Sequence, residues 1–325
     1  MTTAPSARPE TSEIRVGISS CLLGEEVRFD GGHKWDRWVT GTLAQFVTLV
    51  PVCPEVEVGM GIPRETVRLV GGAEAPRMVA PKSGEDWTAR MNSYAHKRAR
   101  DLAGDDLCGY IFKKNSPSCG VFRVKVYQDK GMPERGGRGL FAAAFMAQHP
   151  LVPVEEEGRL QDAPLRENFI ERVFAYRRLK DLFAGRWQRG AVVAFHSREK
   201  YLLMAHSPKH YKELGQLVAA IADHTPAAFR DRYMELFMGA LSVKANARRH
   251  VNTLQHMAGH LKKVLGEEER RRVHGVISDY GEGLVPLIVP MTLLRHYIEL
   301  HRAPWAIDQT YLNPHPKELM LRNHV

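Results

Sequence analysis

The sequence predicts an α/β domain with a parallel, Rossmann-like sheet, followed by a mainly α-helical domain. In the first half of the 325 residues, short apolar segments alternate with segments of helical periodicity, an order typical of βαβ units. From Pro164 onward the chain has helical periodicity almost throughout. The acidic segment at residues 155–158 interrupts both patterns and is expected to form an exposed linker. We therefore predict a disordered tail over residues 1–12, a first domain over residues 13–158 and a second domain over residues 159–325.

Four short apolar runs in the first domain predict strands, at residues 15–20, 49–52, 107–112 and 151–154. Three segments between them predict helices, at residues 42–47, 88–103 and 140–148. In the longest predicted helix, Met91, Ala95, Ala99 and Leu102 recur at helical spacing and define one apolar stripe. This strand–helix alternation favours a parallel sheet, because parallel strands need long crossover connections.

Six helices are predicted in the second domain, at residues 165–183, 208–223, 226–243, 244–265, 267–280 and 289–301. The breaks at residues 223–226 and at Gly266 separate some of them, since proline and glycine disfavour helix interiors. No run of 18 apolar residues is present, so no transmembrane helix is expected. The polar start of the chain lacks the apolar core of a secretory signal, and we expect a cytoplasmic protein.

Charge is distributed unevenly between the two predicted domains. Residues 1–158 contain 20 lysines and arginines against 20 aspartates and glutamates, whereas residues 159–325 contain 26 against 17. The whole formal charge of +9 therefore lies in the second domain. This charge favours a polyanionic partner, and we expect RNA rather than DNA. The alternative is that the cations only form a solvated helix surface. The residues expected to bind RNA are Arg198, Lys200, Lys209, His210 and Tyr211, in a stretch that also holds Tyr201 and His206.

Three of the four cysteines stand at equivalent places in the predicted fold. Cys21 follows the first strand, Cys53 follows the second, and Cys119 closes the loop after the third. The carboxyl ends of parallel strands form the crevice in which such sheets bind ligands, so these three thiols can meet although 32 and 66 residues separate them. Cys108 lies inside its strand and is expected to fill the core as a small apolar residue.

Three converging thiols leave several kinds of site open. A structural zinc site normally has four ligands, often in CxxC pairs, and the chain has no CxxC motif; His33, His96 and His149 are the first domain's histidines. An iron–sulfur cubane normally takes four cysteines, and with three of them one iron keeps an open coordination position, which suits catalysis. The remaining alternative is that the cysteines are unrelated residues at strand ends.

Three segments around these cysteines resemble the signature segments of the thiouracil desulfidase family. They are SSCLLG followed by VRFDGG, VPVCPEVEVGMGIPRE, and KKNSPSCG. The resemblance covers roughly residues 13–155, and residues 191–215 resemble the helical domain that commonly follows this catalytic domain. The two-domain form is similar to desulfidases that act on 4-thiouridine in tRNA. Phe29 departs from the family pattern, where a tyrosine is common.

The resemblance implies a [4Fe-4S] cluster held by Cys21, Cys53 and Cys119. It also implies hydrolysis of a thiocarbonyl to a carbonyl, with release of sulfide and no electron transfer. For this reaction we expect Glu55, two residues beyond Cys53, to act as general base. Ser116, three residues before Cys119, is expected to donate or relay a proton. Each residue also has a structural alternative: Glu55 could form a salt bridge or cap a helix, and Ser116 could cap a turn.

The expected substrate is 4-thiouridine in tRNA, whose phosphates the basic domain would hold. Asp30 is a candidate for orienting cationic groups near the substrate; alternatively, it caps a turn. Lys114 is a candidate for contacting a phosphate; alternatively, its side chain is only solvated. A desulfidase of free thiouracil or thio-UMP with a structural helical domain is the nearest alternative function. A non-catalytic RNA-binding or cluster-sensing protein is another, and sulfur transfer through a cysteine persulfide is a third.

Overall fold

Two four-stranded sheets organise the first half of the chain in the computed structural model, which describes residues 13–128 and 130–324. The tail predicted over residues 1–12 lies outside the described residues. The strands are β1 (Arg15–Ser19), β2 (Thr48–Val52), β3 (Arg68–Val70), β4 (Arg77–Val79), β5 (Leu107–Phe112), β6 (Val124–Tyr127), β7 (Glu134–Gly137) and β8 (Val154–Glu156).

The first sheet has the order β2-β1-β5-β8, and each neighbouring pair is parallel. This confirms the predicted parallel sheet. The central strand β5 is buried along its whole length, which is typical of parallel strands covered on both faces. The fourth strand is displaced from the prediction, because β8 covers 154–156 and residues 151–153 lead into it. The carboxyl ends of β1, β2 and β5 lie side by side, since β1 pairs with both of the others.

The second sheet was not predicted. Its order is β4-β3-β6-β7, with β3 and β6 parallel and the two outer pairs antiparallel. Strands of three or four residues give too short a pattern for periodicity to be recognised in the sequence. One face of this sheet packs Leu69, Met78 and Val126 against Met91 and Leu140, and this core fixes the sheet on the helices.

Among the described residues of the first unit, four α-helices accompany the sheets: α1 (Arg37–Gly41), α2 (Pro54–Glu57), α3 (Thr88–Asp101) and α4 (Leu140–Gln148). The helices predicted at 88–103 and 140–148 are present as α3 and α4. The helix predicted at 42–47 is wrong, because α1 lies earlier and is followed by a short 3-10 turn, Leu43–Gln45. Asp36 explains the earlier start, since its side chain accepts a hydrogen bond from Val39 N at 3.0 Å and caps α1.

The acidic segment at 155–158 is not the exposed linker that the sequence predicted. Glu155, Glu156 and Glu157 are all buried. Glu156 accepts hydrogen bonds from the backbone amides of Val121 at 2.8 Å and Phe122 at 3.0 Å, so its charge is used to hold the loop that precedes β6. The chain nevertheless divides here, into one unit that ends at Glu156 and a second that begins at Glu157.

The second unit is helical, as predicted. Its helices are α5 (Ala163–Leu182), α6 (Arg189–His206), α7 (Pro208–Ala219), α8 (Pro226–Ser242), α9 (Ala247–Leu261), α10 (Glu267–Gly281), α11 (Ile288–Leu300) and α12 (Pro304–Ile307). Side chains of Asp162, Ser207, Thr225 and Asn246 cap α5, α7, α8 and α9, each accepting from a backbone amide three residues later. Within the described chain, none of the helices combines the length and apolarity needed to cross a membrane.

Helix α6 was missed in the sequence. Gln188 precedes the helix and makes no side-chain cap, and the first turn of the helix contains Gly190. Neither a capping residue nor high helix propensity therefore indicates where the helix begins. Its buried face, which includes Val192, Phe195 and Leu202, is defined by packing against neighbouring helices. Its existence therefore depends on tertiary contacts rather than on local preference.

A buried ion network fastens the end of the chain to α5. Arg322 donates to Glu167 at 3.0 Å and also to Glu171, while His206 Nε2 lies 3.0 Å from Glu171. Burial and the charge of Glu171 raise the pKa of Glu167 to about 8. Arg322 also donates to Tyr311 O at 2.6 Å. Because every charge in this network has a partner, we interpret the network as a structural element of the helical unit.

Gly17 offers a test of the core that supports the first sheet. A Cβ atom at this position would lie 2.3 Å from Tyr110 Cδ2, and Tyr110 is itself held by a stacked contact with Phe112 at 3.9 Å. Gly17→Ala should therefore lower the free energy of unfolding by about 1–3 kcal/mol. Gly41→Ala is the control, since no atom lies within 4 Å of its added Cβ, and it should change stability by less than about 0.5 kcal/mol. Equal urea midpoints for the two variants would contradict this account of the β1–β5 packing.

Candidate active site at the carboxyl ends of the parallel strands

A cavity of about 370 Å³ opens at the carboxyl ends of β1, β2 and β5. Cys21, Cys53 and Cys119 all line it, so the structure brings together the three thiols that the sequence predicted would meet. Its volume falls within the range of small-molecule sites, about 300–1,000 Å³. Cys108, by contrast, is fully buried within β5, as expected for a core residue.

Cys21 is positioned by a tight turn directly after β1. It lies in the 3-10 turn Ser20–Leu23, which Gly24 ends in the left-handed conformation with φ of 94°. A side chain is disfavoured in that conformation, so glycine suits this position. The carbonyl of Cys21 accepts from Lys34 N at 2.8 Å, which closes the following loop back onto the turn.

Cys53 stands at the N-terminus of α2, immediately after β2. Its backbone amide donates to Glu57 Oε1 at 3.0 Å, and Glu57 in turn accepts from Tyr94 OH at 2.7 Å. Glu57 is therefore a structural carboxylate that holds the backbone of a cavity residue. The Cys53 thiol lies 3.8 Å from Val27 O, which connects it to the loop that follows Cys21.

Cys119 is held in a loop that is tied to the start of α4. Ser116 Oγ accepts from the backbone amides of Ser118 at 3.2 Å and Cys119 at 3.1 Å. The carbonyl of Ser118 accepts from Phe141 N and Ala142 N, both at 3.1 Å, which satisfies amides at the start of the helix. Gly139 permits this contact, because a Cβ atom there would lie 2.4 Å from Ser118 O. The position of Cys119 is thus fixed by a helix as well as by a strand.

The three thiols influence one another electrostatically. Burial raises the pKa of Cys119, and the charges of Glu55, Cys21 and Cys53 raise it further, while a hydrogen bond from Ser19 lowers it. Burial is also the main cause that raises the pKa of Cys53. Three thiolates in one buried cavity would repel each other, so their ionised forms require a cationic ligand.

The donor set fits a multinuclear iron–sulfur cluster better than a single metal ion. The described residues that line the cavity include three cysteines and no histidine, so a Cys₃His zinc site is not formed by them. In the part of the chain that the structure describes, no three histidine, cysteine, aspartate or glutamate side chains converge closely enough to hold one metal ion. Cysteines that bind a cluster occupy different iron atoms and do not need to converge on one point. Thiolates are also the ligands that iron–sulfur clusters prefer.

Glu55 lies in the cavity and has a partner that the sequence did not reveal. Arg64 donates to Glu55 Oε2 through Nε at 3.1 Å and Nη2 at 2.5 Å. The same guanidinium donates to Val27 O at 2.9 Å and Gly61 O at 3.0 Å. With side chains only 6% and 14% exposed, Arg64 and Glu55 form a buried pair that joins three loops. Arg64 lies inside the segment VPVCPEVEVGMGIPRE, which was the available signal, but its spacing from Glu55 does not by itself indicate a salt bridge.

Ser118 was also missed, and it is the hydroxyl closest to the catalytic candidate. Ser118 Oγ donates to Glu55 Oε1 at 2.7 Å, whereas the predicted Ser116 Oγ lies 3.4 Å from the same oxygen. The two hydroxyls are 2.9 Å apart. Because Ser116 accepts from two backbone amides, its own hydrogen can point to Ser118. The arrangement is a chain of hydroxyls that ends on a carboxylate.

The two candidate substrate-binding residues differ in their positions. Lys114 lines the cavity, together with Lys113, Lys34 and Arg28. Asp30 is not part of the lining, and its carboxylate instead accepts from Gly32 N at 3.1 Å, a bond that lowers the pKa of Asp30. Asp30 thus caps a turn, and it also accepts from Nε of Arg28, a cation of the cavity lining, at 3.3 Å. Both the orienting role and the turn-capping alternative are compatible with this geometry.

The candidate RNA-binding residues lie on two packed helices of the second unit, α6 and α7. Arg198 and Lys209 are exposed, and Lys209 lies 3.9 Å from Glu213. Lys200, His210 and Tyr211 are partly buried; Lys200 lies over the ring of Tyr201, His210 contacts Ser207 at 2.8 Å, and Tyr211 stacks on His196. Tyr201 and His206, from the same stretch, are buried and cannot contact phosphates or bases.

Comparison with known proteins matches the two units to two family models. Residues 16–157 match the model "2-thiouracil desulfurase", and residues 200–316 match "Protein of unknown function (DUF1722)". YbgA of Escherichia coli K12, described as uncharacterized, is 32% identical over 158 residues, which are 48% of this chain and 94% of YbgA. YbbK of Bacillus subtilis 168, also described as uncharacterized, is 32% identical over 108 residues, 32% of this chain and 71% of YbbK.

A solved structure described as the [4Fe-4S]-dependent thiouracil desulfidase TudS is similar at 27% sequence identity and a TM-score of 0.40, covering 48% of this chain and 98% of TudS. The family match spans the cavity and all three cysteine loops, from β1 to the end of β8. Through its first unit, the chain belongs to the 2-thiouracil desulfurase family, and its second unit carries a DUF1722 domain.

Proposed function

We propose that this protein is a [4Fe-4S]-dependent desulfidase that converts the thiocarbonyl of a thiolated pyrimidine into a carbonyl and releases sulfide. The observation that carries the proposal is the cavity in which Cys21, Cys53 and Cys119 meet without a histidine. Cys21, Cys53 and Cys119 would hold the cluster, which would supply a Lewis-acidic iron for the soft sulfur of the substrate. The reaction is balanced by one water: a carbon–oxygen bond forms, the carbon–sulfur bond breaks, and no electrons are exchanged.

The roles of the protein's own groups follow from the hydrogen bonds around Glu55. Arg64 occupies Oε2 and compensates the charge, which leaves Oε1 to face Ser118 and the cavity. Glu55 takes a proton from the attacking water at this oxygen. The hydroxyls of Ser118 and Ser116 extend the path, so a proton taken by the carboxylate can be returned to the departing sulfur.

The charges around the cavity support an anionic substrate. Arg28, Lys34, Lys113 and Lys114 line the cavity, whereas Glu55 is the acidic residue of the lining and is already paired with Arg64. Cationic side chains at a cavity favour binding of phosphate groups. A free thiouracil base and its nucleotide monophosphate are therefore both candidates, and the cations favour the nucleotide.

A second candidate substrate is 4-thiouridine in tRNA. The observation that favours it is the net charge of +9 carried by residues 159–325. In this case Arg198, Lys200, Lys209, His210 and Tyr211 would contact the RNA, and the modified base would have to leave its stack to enter the cavity.

Replacement of the cysteines tests the cluster. Cys21→Ala, Cys53→Ala and Cys119→Ala should each abolish the brown absorbance of anaerobically purified protein together with sulfide release from 2-thiouracil, because each removes a cluster ligand. Cys108→Ala is the matched control, since this thiol is buried in β5 away from the cavity, and it should keep both properties. A colourless Cys53→Ala protein that still releases sulfide would refute the proposal.

Glu55→Gln tests the general base. The amide keeps the shape and a hydrogen-bond acceptor but cannot take a proton, so kcat should fall by about 10²–10⁴-fold while the visible spectrum is retained. Glu85→Gln, at an exposed carboxylate paired with Arg90, is the control and should leave kcat within about twofold. An unchanged kcat in Glu55→Gln would assign this residue to a structural salt bridge.

Charge reversal in the second unit separates the two substrate classes. The double variant R198E/K209E should lower kcat/KM on 4-thiouridine tRNA at least about tenfold and leave turnover of 2-thiouracil within about twofold. R230E/R232E makes the same charge change on α8 and serves as the control. If both variants process tRNA and free base as the unaltered protein does, α6 and α7 are not the RNA-binding surface.

A further inference from the structure

A second concave site in the first unit is lined by arginines. This groove, of about 740 Å³, is bordered by Arg77 on β4, Arg123 before β6, Arg135 on β7 and Arg138 after β7; we call it the arginine groove. Its floor is built from small residues such as Ala143 and Ala147 on α4. A floor of small side chains with cations at the border leaves space for an extended anionic ligand.

The positive charge of the arginine groove is not balanced by the residues that line it. Glu74 is the acidic residue of the described lining. Arg77 pairs with Asp86 at 3.3 Å, and both side chains are largely exposed. For Arg123, Arg135 and Arg138 no ion pair with a carboxylate is present among residues 13–128 and 130–324. Residues 1–158 contain 20 basic and 20 acidic residues, so this excess is local.

Strand pairing places a further cation, Lys125, next to Arg135, although Lys125 itself is not part of the groove lining. In the β6–β7 register, Lys125 stands directly opposite Arg135, and both residues are exposed. Directly opposed residues of an antiparallel pair project from the same face, and like charges there are destabilising by about 0.2–1 kcal/mol. A bound anion would relieve this repulsion.

The arginine groove is joined to the loop that carries Cys119. Val121 and Phe122, two and three residues after this cysteine, contribute to the lining. Arg138 Nε donates to Val121 O at 3.4 Å, and Gly139 N donates to Gly120 O at 2.7 Å. The groove and the cavity are thus built on opposite ends of one continuous segment.

We propose that the arginine groove binds the phosphate backbone of RNA on the catalytic unit itself. An arginine guanidinium can donate two parallel hydrogen bonds to the oxygens of a phosphate group. Several arginines along one groove can therefore bind a polymer with regularly spaced phosphates. Most lining residues are small or polar, and the larger apolar ones, Val121, Phe122 and Leu140, are buried or half-buried, which disfavours insertion into a membrane. The statement that this RNA delivers a thiolated base to the cavity rests on the proposed function; RNA binding by the groove does not.

The test is tRNA binding by the full-length protein, measured by fluorescence anisotropy with unmodified tRNA over a range of salt concentrations. The double variant R123E/R135E should weaken binding at least about tenfold at 100 mM salt and reduce the slope of log K against log[salt] by about 2, one unit for each lost phosphate contact. K97E/R100E changes two exposed residues of α3 outside the groove by the same charge and should change affinity by less than about threefold.

Three outcomes would overturn the proposal: unchanged tRNA affinity in R123E/R135E, an equal loss in both variants, or binding of phosphatidylserine vesicles without binding of tRNA. The neutral variant R123Q/R135Q, with an expected loss of about threefold or more, keeps the test valid if charge reversal prevents folding. Sulfide release from 2-thiouracil, which should be unchanged in every variant, reports separately on the proposed function.

Discussion

The register between β1 and its two neighbours is the constraint on which the cavity depends. β1 pairs in parallel with β2 on one side and with β5 on the other, so all three strands end at one edge of the sheet. The loops that follow them carry Cys21, Cys53 and Cys119. A slip of one residue would turn each side chain of a strand to its other face, and the core residues of β5 and Gly17 opposite Tyr110 oppose such a slip.

The loops themselves are held by polar contacts rather than by apolar burial. Glu57 holds the backbone of Cys53, Ser116 holds the amide of Cys119, and Arg64 links Glu55 to Val27 and Gly61. A buried carboxylate is costly unless it is paired and hydrogen-bonded. Glu55 meets this requirement with one oxygen and keeps the other available to hydroxyl groups, which combines a stable position with a proton path.

Where the sequence was misleading, the reason was a contact made across long chain separations. The exposed linker expected at 155–158 is buried because Glu156 accepts from Val121 and Phe122. The second sheet consists of strands too short to show a period, and they gain their stability from a shared core with α3 and α4. Helix α6 lacks a capping residue and is defined by packing. None of these features has a local signal in the chain.

By itself, the sequence determined the parallel sheet, the helical second half, the meeting of three cysteines and the participation of Glu55, Ser116 and Lys114 in one cavity. The sheet, the helices and the meeting of the cysteines follow from periodicity and from the rule that parallel strands end at a common edge. Glu55, Ser116 and Lys114 were expected from the segments that resemble the desulfidase family. Only the tertiary structure decided that Arg64 and Ser118 partner Glu55, that Asp30 caps a turn outside the cavity lining, and that arginines from four segments share a groove. Side-chain partners are chosen by three-dimensional proximity, which one-dimensional spacing does not encode.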